Sequence, residues 1–281
     1  MKANRLQRFM IIFKTLALTL WISLEVIYKV HRRSETRQAC DRRLRWWSTR
    51  LLNNLRLSYA VQNPHQVRFQ PGKPYIIMSN HSSLCDIPLI FATMPGSIRM
   101  LTKKELFDVP IWGLGMKRAE FISIDRNNRR QAIQDLKEAQ KKMESGIILW
   151  VAPEGTRSTT GKLGPFKKGG FVLAVRTGAT IVPVGIRGAF NVLPPKTLDF
   201  LLGEHAEVHI GEAVDASQFS NKTLAQLMGQ VEQSIRRLAG LERETSQHDQ
   251  PSFPQPVDAR LESDHTARRL QKPVLRLPDQ E

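Results

Sequence analysis

Apolar residues change their rhythm along this chain, and each change predicts a different kind of element. From Phe9 to Ile27 they run almost unbroken, with Lys14 and Glu25 the charges inside the run. That is just long enough for a helix that crosses a bilayer. Lys14 and Glu25, near its ends, equally suit a helix embedded without crossing, and positive residues on both sides leave its orientation open. Residues 38–60 read as a second helix, with Leu44, Trp47, Leu51 and Leu55 at helical spacing and Arg42, Arg45, Arg50 and Arg56 on or beside the polar face.

After Pro64 the pattern becomes short apolar runs separated by amphipathic stretches. The runs "YIIMS", "IRMLT", "EFISI", "IILWVA", "IVPVGI" and "AEVHIG" predict strands; residues 86–94, 110–117, 128–144, 168–177 and 222–240 predict helices. This alternation implies an α/β fold: a mixed, largely parallel sheet flanked by helices. The organisation that follows is a helical segment over 1–60 that binds membrane lipids, an α/β domain over 61–242, and a disordered tail from 243, where Pro, Gln, Asp and Arg dominate without an apolar period.

Charge sharpens the first of these. The formal net charge of the 281 residues is +16, and residues 1–60 hold thirteen Lys and Arg against three acids. Basicity concentrated where the chain is most apolar suits an anionic membrane surface and argues against a nucleic-acid partner, which calls for basic and aromatic groups on a polar domain face. The opening lacks a small-residue cleavage site after its apolar run, so an uncleaved anchor is expected. Two cysteines, Cys40 and Cys85, make no disulfide framework and favour a reducing compartment.

Candidate chemistry gathers where strands end. "SNHSSLCDIP" places His81 and Asp86 just past a strand. A neutral imidazole can take a proton from an alcohol while a carboxylate fixes its tautomer, yet the same residues also suit a polar turn, with Asp86 capping a helix. Cys85 is a poor nucleophile beside an acid. In "LWVAPEGTRS", Gly155 permits close backbone approach, Thr156 can donate a hydrogen bond and Arg157 can grip an oxyanion with two parallel bonds. Lys103 and Arg126 follow two further strands. In a parallel sheet these ends share one edge, so a base and three cations would line one crevice, which asks for a phosphate-bearing alcohol.

These residues resemble the 1-acylglycerol-3-phosphate acyltransferases of the glycerophospholipid acyltransferase superfamily. "NHSSLCD" is similar to the family's H-x-x-x-x-D block, "FISIDR" to the second, "PEGTRS" to the third and "IVPVGI" to the fourth, over about residues 64–215. Ala152 departs from the pattern, since many members carry an aromatic residue there. The resemblance implies acyl transfer from acyl-CoA or acyl carrier protein to the sn-2 hydroxyl of lysophosphatidate. His81 would be general base and Asp86 its orienter. Arg126, Arg157 and Lys103 would bind phosphate, with Glu154, Gly155 and Thr156 shaping that pocket, and Pro183 would belong to the acyl-donor site. It implies no metal and no resident cofactor, because a thioester is already activated, and a place on the cytoplasmic face of the inner membrane. Another lysolipid acceptor, or an inactive lipid-binding protein, are the competing readings.

Overall fold

The computed structural model describes residues 1–125 and 127–241; the tail expected from residue 243 lies outside the described residues. Helices α1 (Arg5–His31) and α2 (Arg37–Asn54) precede an eight-stranded sheet. Its strands are β1 (Ser58–Gln62), β2 (Tyr75–Ser79), β3 (Ile98–Lys103), β4 (Ile122–Ile124), β5 (Ile148–Val151), β6 (Thr180–Arg187), β7 (His205–Ile210) and β8 (Val214–Asp215). They lie in the order β1-β7-β6-β2-β5-β3-β4, with β8 beside β6. Neighbours are parallel except that β7 and β8 run antiparallel to β6. The largely parallel sheet is thus as expected, and β2, β3, β4, β5 and β6 present their carboxyl ends along one edge.

The connecting helices are α3 (Asp86–Thr93), α4 (Trp112–Arg118), α5 (Arg129–Glu144), α6 (Gly169–Thr177), α7 (Ala189–Val192) and α8 (Leu224–Leu238). Successive residues of a strand face opposite sides, and the core divides accordingly. Ile77, Trp150, Val182 and Val184 pack against α1, α2 and α3; Ile76, Met78, Leu149 and Ile181 pack against α5, α6 and α8. In α8 the buried Leu224, Leu227, Val231 and Ile235 recur at helical spacing, and Arg236 and Arg237 in its last turn suit the negative end of the helix dipole.

The structure corrects the second predicted helix. The helix α2 stops at Asn54, Arg56 takes a left-handed φ of 52°, and residues 58–62 form β1, pairing Ser58 with His205 through Gln62 with His209. Only the partner strand, some 140 residues later, reveals that element. Part of the basic face of α2 also turns inward. Arg45 donates to the carbonyls of Ala92 and Met94 at the end of α3 (2.8 and 3.0 Å), and Arg37 forks onto both carboxylate oxygens of Glu120 at 2.8 Å. Arg50 instead lies over the Trp46 ring, 5.3 Å from its centroid. The N-terminal helices accordingly belong to one compact unit, Met1–Glu242, with the sheet.

The helix α1 docks along its length: Ile11, Ile22 and Val26 are buried, Glu25 pairs with Arg43 at 3.2 Å, and Ser23 meets Gly115 of α4. A Cβ on Gly115 would sit 2.8 Å from that of Ser23, so only glycine permits this crossing. The opposite face is exposed and apolar, a stripe of Leu6, Phe9, Met10, Phe13, Leu16, Leu20, Leu24 and Tyr28. By length and composition α1 could cross a membrane.

Candidate active site

The sequence forces a sharp polar turn after β2. Asn80 leaves the strand and bonds both backbone groups of Ile186, accepting its N–H at 2.7 Å and donating to its carbonyl at 2.9 Å. This ties the end of β2 to the end of β6 and fixes where the next residue begins. That residue is His81. Its Nδ1 lies 2.8 Å from Oδ2 of Asp86, the first residue of α3. The same oxygen accepts the N–H groups of Ser82 and Ser83, each at 2.8 Å, and Asp86 is fully buried. A carboxylate can only accept, so Nδ1 carries the proton and neutral His81 presents a lone pair on Nε2. That nitrogen has no protein partner among the described residues, and the ring lies edge-on to Trp150. Asp86 therefore orients the histidine and closes the turn with one oxygen.

Cys85 stands aside from this pair. It is buried, and desolvation pushes its thiol up to about 12, with Ser83 opposing and Asp86 reinforcing the rise. A thiol so held is not an attacking group near neutral pH.

The loop after β5 grips the histidine from behind. Glu154 accepts the His81 N–H at 3.0 Å through Oε1 and the Gly164 N–H at 2.8 Å through Oε2. Burial holds its carboxyl above the ordinary range, against the opposing pull of those two N–H groups. Ser158 N–H returns to the His81 carbonyl at 2.7 Å, and Lys167 N–H closes on Pro153 at 2.7 Å. Gly155 takes a φ of +74°, and a Cβ there would lie 3.3 Å from Lys167 Cγ; one on Gly164 would lie 3.2 Å from Glu154 Oε2. The loop is thus held by its own hydrogen bonds to the histidine and to itself.

It walls a cavity of about 510 Å³ whose lining includes Thr156, Arg157, Lys162, Lys167 and Lys196. None of these four cations is paired with a carboxylate among the described residues. A second cavity, of about 190 Å³ and almost wholly apolar, takes part of its lining from the same His81–Asp86 segment. Leu84 and Ile87 of that turn line it, with Ile22, Trp47, Phe91 and Met116 from α1, α2, α3 and α4.

Of the residues expected at the site, His81, Asp86, Glu154, Gly155, Thr156 and Arg157 converge. Lys103 does not: it is exposed, pairs with Glu105 at 3.1 Å, and ends β3, which β5 separates from β2. Pro183 is buried in the middle of β6 opposite Met78, where its ring faces Gly211 below α8 and not the cationic cavity. Arg126 lies outside the described residues. Sequence reasoning passed over Asn80, whose function is a contact 106 residues away, and over Lys162, Lys167 and Lys196, which resemble ordinary surface lysines until the loop closes.

Residues 59–187 match the family described as Acyltransferase. Curated relatives include the chloroplastic 1-acyl-sn-glycerol-3-phosphate acyltransferase BAT2 of Brassica napus, 31% identical over 137 residues, and human 1-acyl-sn-glycerol-3-phosphate acyltransferase alpha, 38% identical over 117. Those alignments take in 49% and 41% of this chain, and the chain spans only 39% and 41% of the relatives' own lengths. Among solved structures, the 1-acyl-sn-glycerophosphate (LPA) acyltransferase PlsC from Thermotoga maritima superposes with a TM-score of 0.71 at 25% identity, covering 85% of this chain and 95% of that one. Both polar loops fall inside the matched region, which takes in a little under half of the chain, on a fold similar almost end to end to that structure.

Proposed function

We propose that the protein transfers a fatty acyl group from an acyl thioester to the sn-2 hydroxyl of 1-acyl-sn-glycerol 3-phosphate, forming phosphatidate. The observation that carries this reading is the His81–Asp86 pair, joined through Glu154 and Ser158 to a cavity of unpaired cations. A phosphate on C3 of the acceptor lies only a few bonds from the sn-2 oxygen, so its binding group must belong to the segment that touches His81. Arg157 does, being the neighbour of Ser158.

With the phosphate on Arg157, the hydroxyl is held at Nε2 of His81. The imidazole takes the hydroxyl proton as the oxygen attacks the thioester carbonyl carbon, and buried Asp86 steadies the imidazolium. The tetrahedral intermediate then expels the thiolate, which receives that proton from His81. Neither metal nor cofactor is required, because the C–S bond is already activated. The apolar cavity beside Leu84 and Ile87 is suited to an acyl chain, and the exposed stripe of α1 to the outer part of a lipid leaflet, with α1 lying along the surface while its other face stays on the domain. Because acyl-CoA and acyl carrier protein are cytoplasmic, the cytoplasmic face of the inner membrane is the matching location.

The test is to incubate purified protein with a panel of lyso-acceptors and both donor types and identify products by mass. Lysophosphatidate should be preferred. His81→Ala should lower turnover about 10²–10⁴-fold, the usual worth of a general base, with lysophosphatidate still bound; near-normal turnover would remove His81 from the mechanism.

A further inference from the structure

Lys14 is out of place in the apolar run from Phe9 to Ile27, yet no internal partner holds it there. It is exposed on α1 beside Phe13, which belongs to the apolar stripe, and it makes no hydrogen bond or ion pair with any described residue. A cation among lipid chains is costly unless it reaches water or meets an anion. The neighbouring helix favours an anion. The Arg50 guanidinium of α2 lies over the Trp46 ring, 5.3 Å from its centroid, and Trp46 packs edge-on against the exposed Trp21 of α1 at 5.4 Å. Apart from that ring contact Arg50 has no partner among the described residues, so its N–H donors are free.

Three contacts set α1 and α2 side by side in opposite directions. Asn54 Nδ2 donates to the Ile11 carbonyl at 3.2 Å, Trp47 Nε1 donates to Thr19 Oγ1 at 3.1 Å, and Arg43 pairs with Glu25 at 3.2 Å. Lys14 and Arg50 both fall between the first two of these. At a helical rise of about 1.5 Å per residue, Lys14 stands about 4.5 Å along its helix from Ile11 and Arg50 about 6 Å from Asn54, so both leave the backbone at nearly one level. They line a single groove of about 530 Å³ between the helices, walled by Phe13, Ala17, Leu18 and Trp46. No carboxylate lines it, and it shares no residue with the cationic cavity beside His81 or with the apolar cavity at Leu84 and Ile87.

We propose that this groove binds one anionic phospholipid of the membrane, with its phosphate on Lys14 and Arg50 and the start of an acyl chain along Phe13, Ala17 and Leu18. The guanidinium can offer the donors on its edge to phosphate oxygens while its face stays on Trp46, and the lysine adds a point charge. Phe13 belongs both to the groove and to the exposed stripe of α1, so a lipid can enter from the leaflet without leaving it. A free anion would satisfy the two cations and leave the apolar walls in water; a lipid matches both. The site stands apart from the acyltransferase reading and does not depend on it, because its lipid is a resident and not a substrate.

The experiment is native mass spectrometry of the full chain in detergent micelles, offered phosphatidylglycerol or phosphatidylcholine in turn. Wild type should retain one phosphatidylglycerol, resist its displacement by inorganic phosphate, and release phosphatidylcholine. Lys14→Gln/Arg50→Gln should lower the retained fraction on the order of tenfold. Arg5→Gln/Arg42→Gln removes the same charge from exposed, unpartnered positions of the same two helices and should change it less than about twofold. Ala17→Trp adds no charge and fills the groove, so it too should lose the lipid while still pelleting with anionic vesicles. The exchanged side chains are exposed, so melting curves should stay at wild type, and either groove variant decides the matter by itself. Equal loss in the two double variants would reduce Lys14 and Arg50 to part of a diffuse basic surface and overturn the site. Full retention in Ala17→Trp, equal retention of the two lipids, displacement by phosphate, or no retained lipid in wild type would overturn it as well. So would a rise in the KM of lysophosphatidate in Lys14→Gln/Arg50→Gln, which would make the groove an entrance for the acceptor.

Discussion

Replacing Asp86 by Asn separates the charge of the His81 pair from its geometry. Oδ2 of Asp86 receives three donors, His81 Nδ1 and the N–H groups of Ser82 and Ser83, all at 2.8 Å. An amide could put its NH₂ there only by opposing two backbone N–H groups, so it keeps its oxygen in place and His81 keeps its tautomer. The amide nitrogen falls where Oδ1 sits, buried and without a partner in the wild type. One unpaired atom replaces another, and the fold should survive. What disappears is the charge. A hydrogen bond to an ionised group contributes about 1.5–3 kcal/mol against about 0.5–1.5 for a neutral one. The difference, roughly 1–1.5 kcal/mol, is about 5- to 13-fold in rate, and loss of the buried carboxylate's field on the imidazolium brings the expected fall in kcat to on the order of 10–100-fold. In a serine-protease triad, where the same exchange reverses the tautomer, the loss is about 10⁴-fold. Initial rates at saturating donor and acceptor, beside a melting curve, make the comparison. A loss of 10⁴-fold in a folded variant would show that the amide has flipped and that the three-donor reasoning is wrong. A loss under about threefold would reduce Asp86 to a turn-former.

The remaining predictions concern the elements that hold the site. Burial raises the Glu154 carboxyl above its unfolded value, so ionising it is harder in the folded protein, and its contribution to stability falls as pH rises from the unfolded value through the folded one. Glu154→Gln should therefore flatten the dependence of Tm on pH across that mildly acidic interval; an unchanged slope would sink the assignment. Gly115→Leu should push α1 away from Ser23, costing about 1–3 kcal/mol as overpacking does and lowering Tm by roughly 2–12 °C for a domain of this size; an unchanged Tm would mean that α1 is not docked there. Phe9, Phe13 and Leu20 changed together to Lys should abolish pelleting with lipid vesicles at high salt yet keep activity on detergent-dispersed substrates, because salt screens charge and leaves apolar insertion intact. Continued pelleting would deny the α1 face its place in the lipid.

Local pattern determined a great deal of this protein. Buried parallel strands read as continuous apolar runs, so β2 through β7 were legible, and helices α3, α5, α6 and α8 followed from their period. His81, Asp86, Glu154 and Arg157 were legible because each sits within a few residues of a strand's carboxyl end, where a parallel sheet gathers side chains on one edge. Tertiary structure alone decided the rest. Residues 58–62 have no apolar period of their own and become a strand only because β7 lies beside them. Lys103 and Arg157 look alike in sequence, each a cation past a strand, yet strand order places β5 between β3 and β2 and leaves Lys103 with Glu105. Pro183 faces away from the cavity because side chains alternate along β6 and its odd positions lie under α8. Lys162 and Lys196, 34 residues apart, come to line one cavity, and Asn80 is joined to Ile186 across 106 residues. Such pairings have no local period to betray them: their energy arises only when distant segments meet, and only the folded chain brings them within reach.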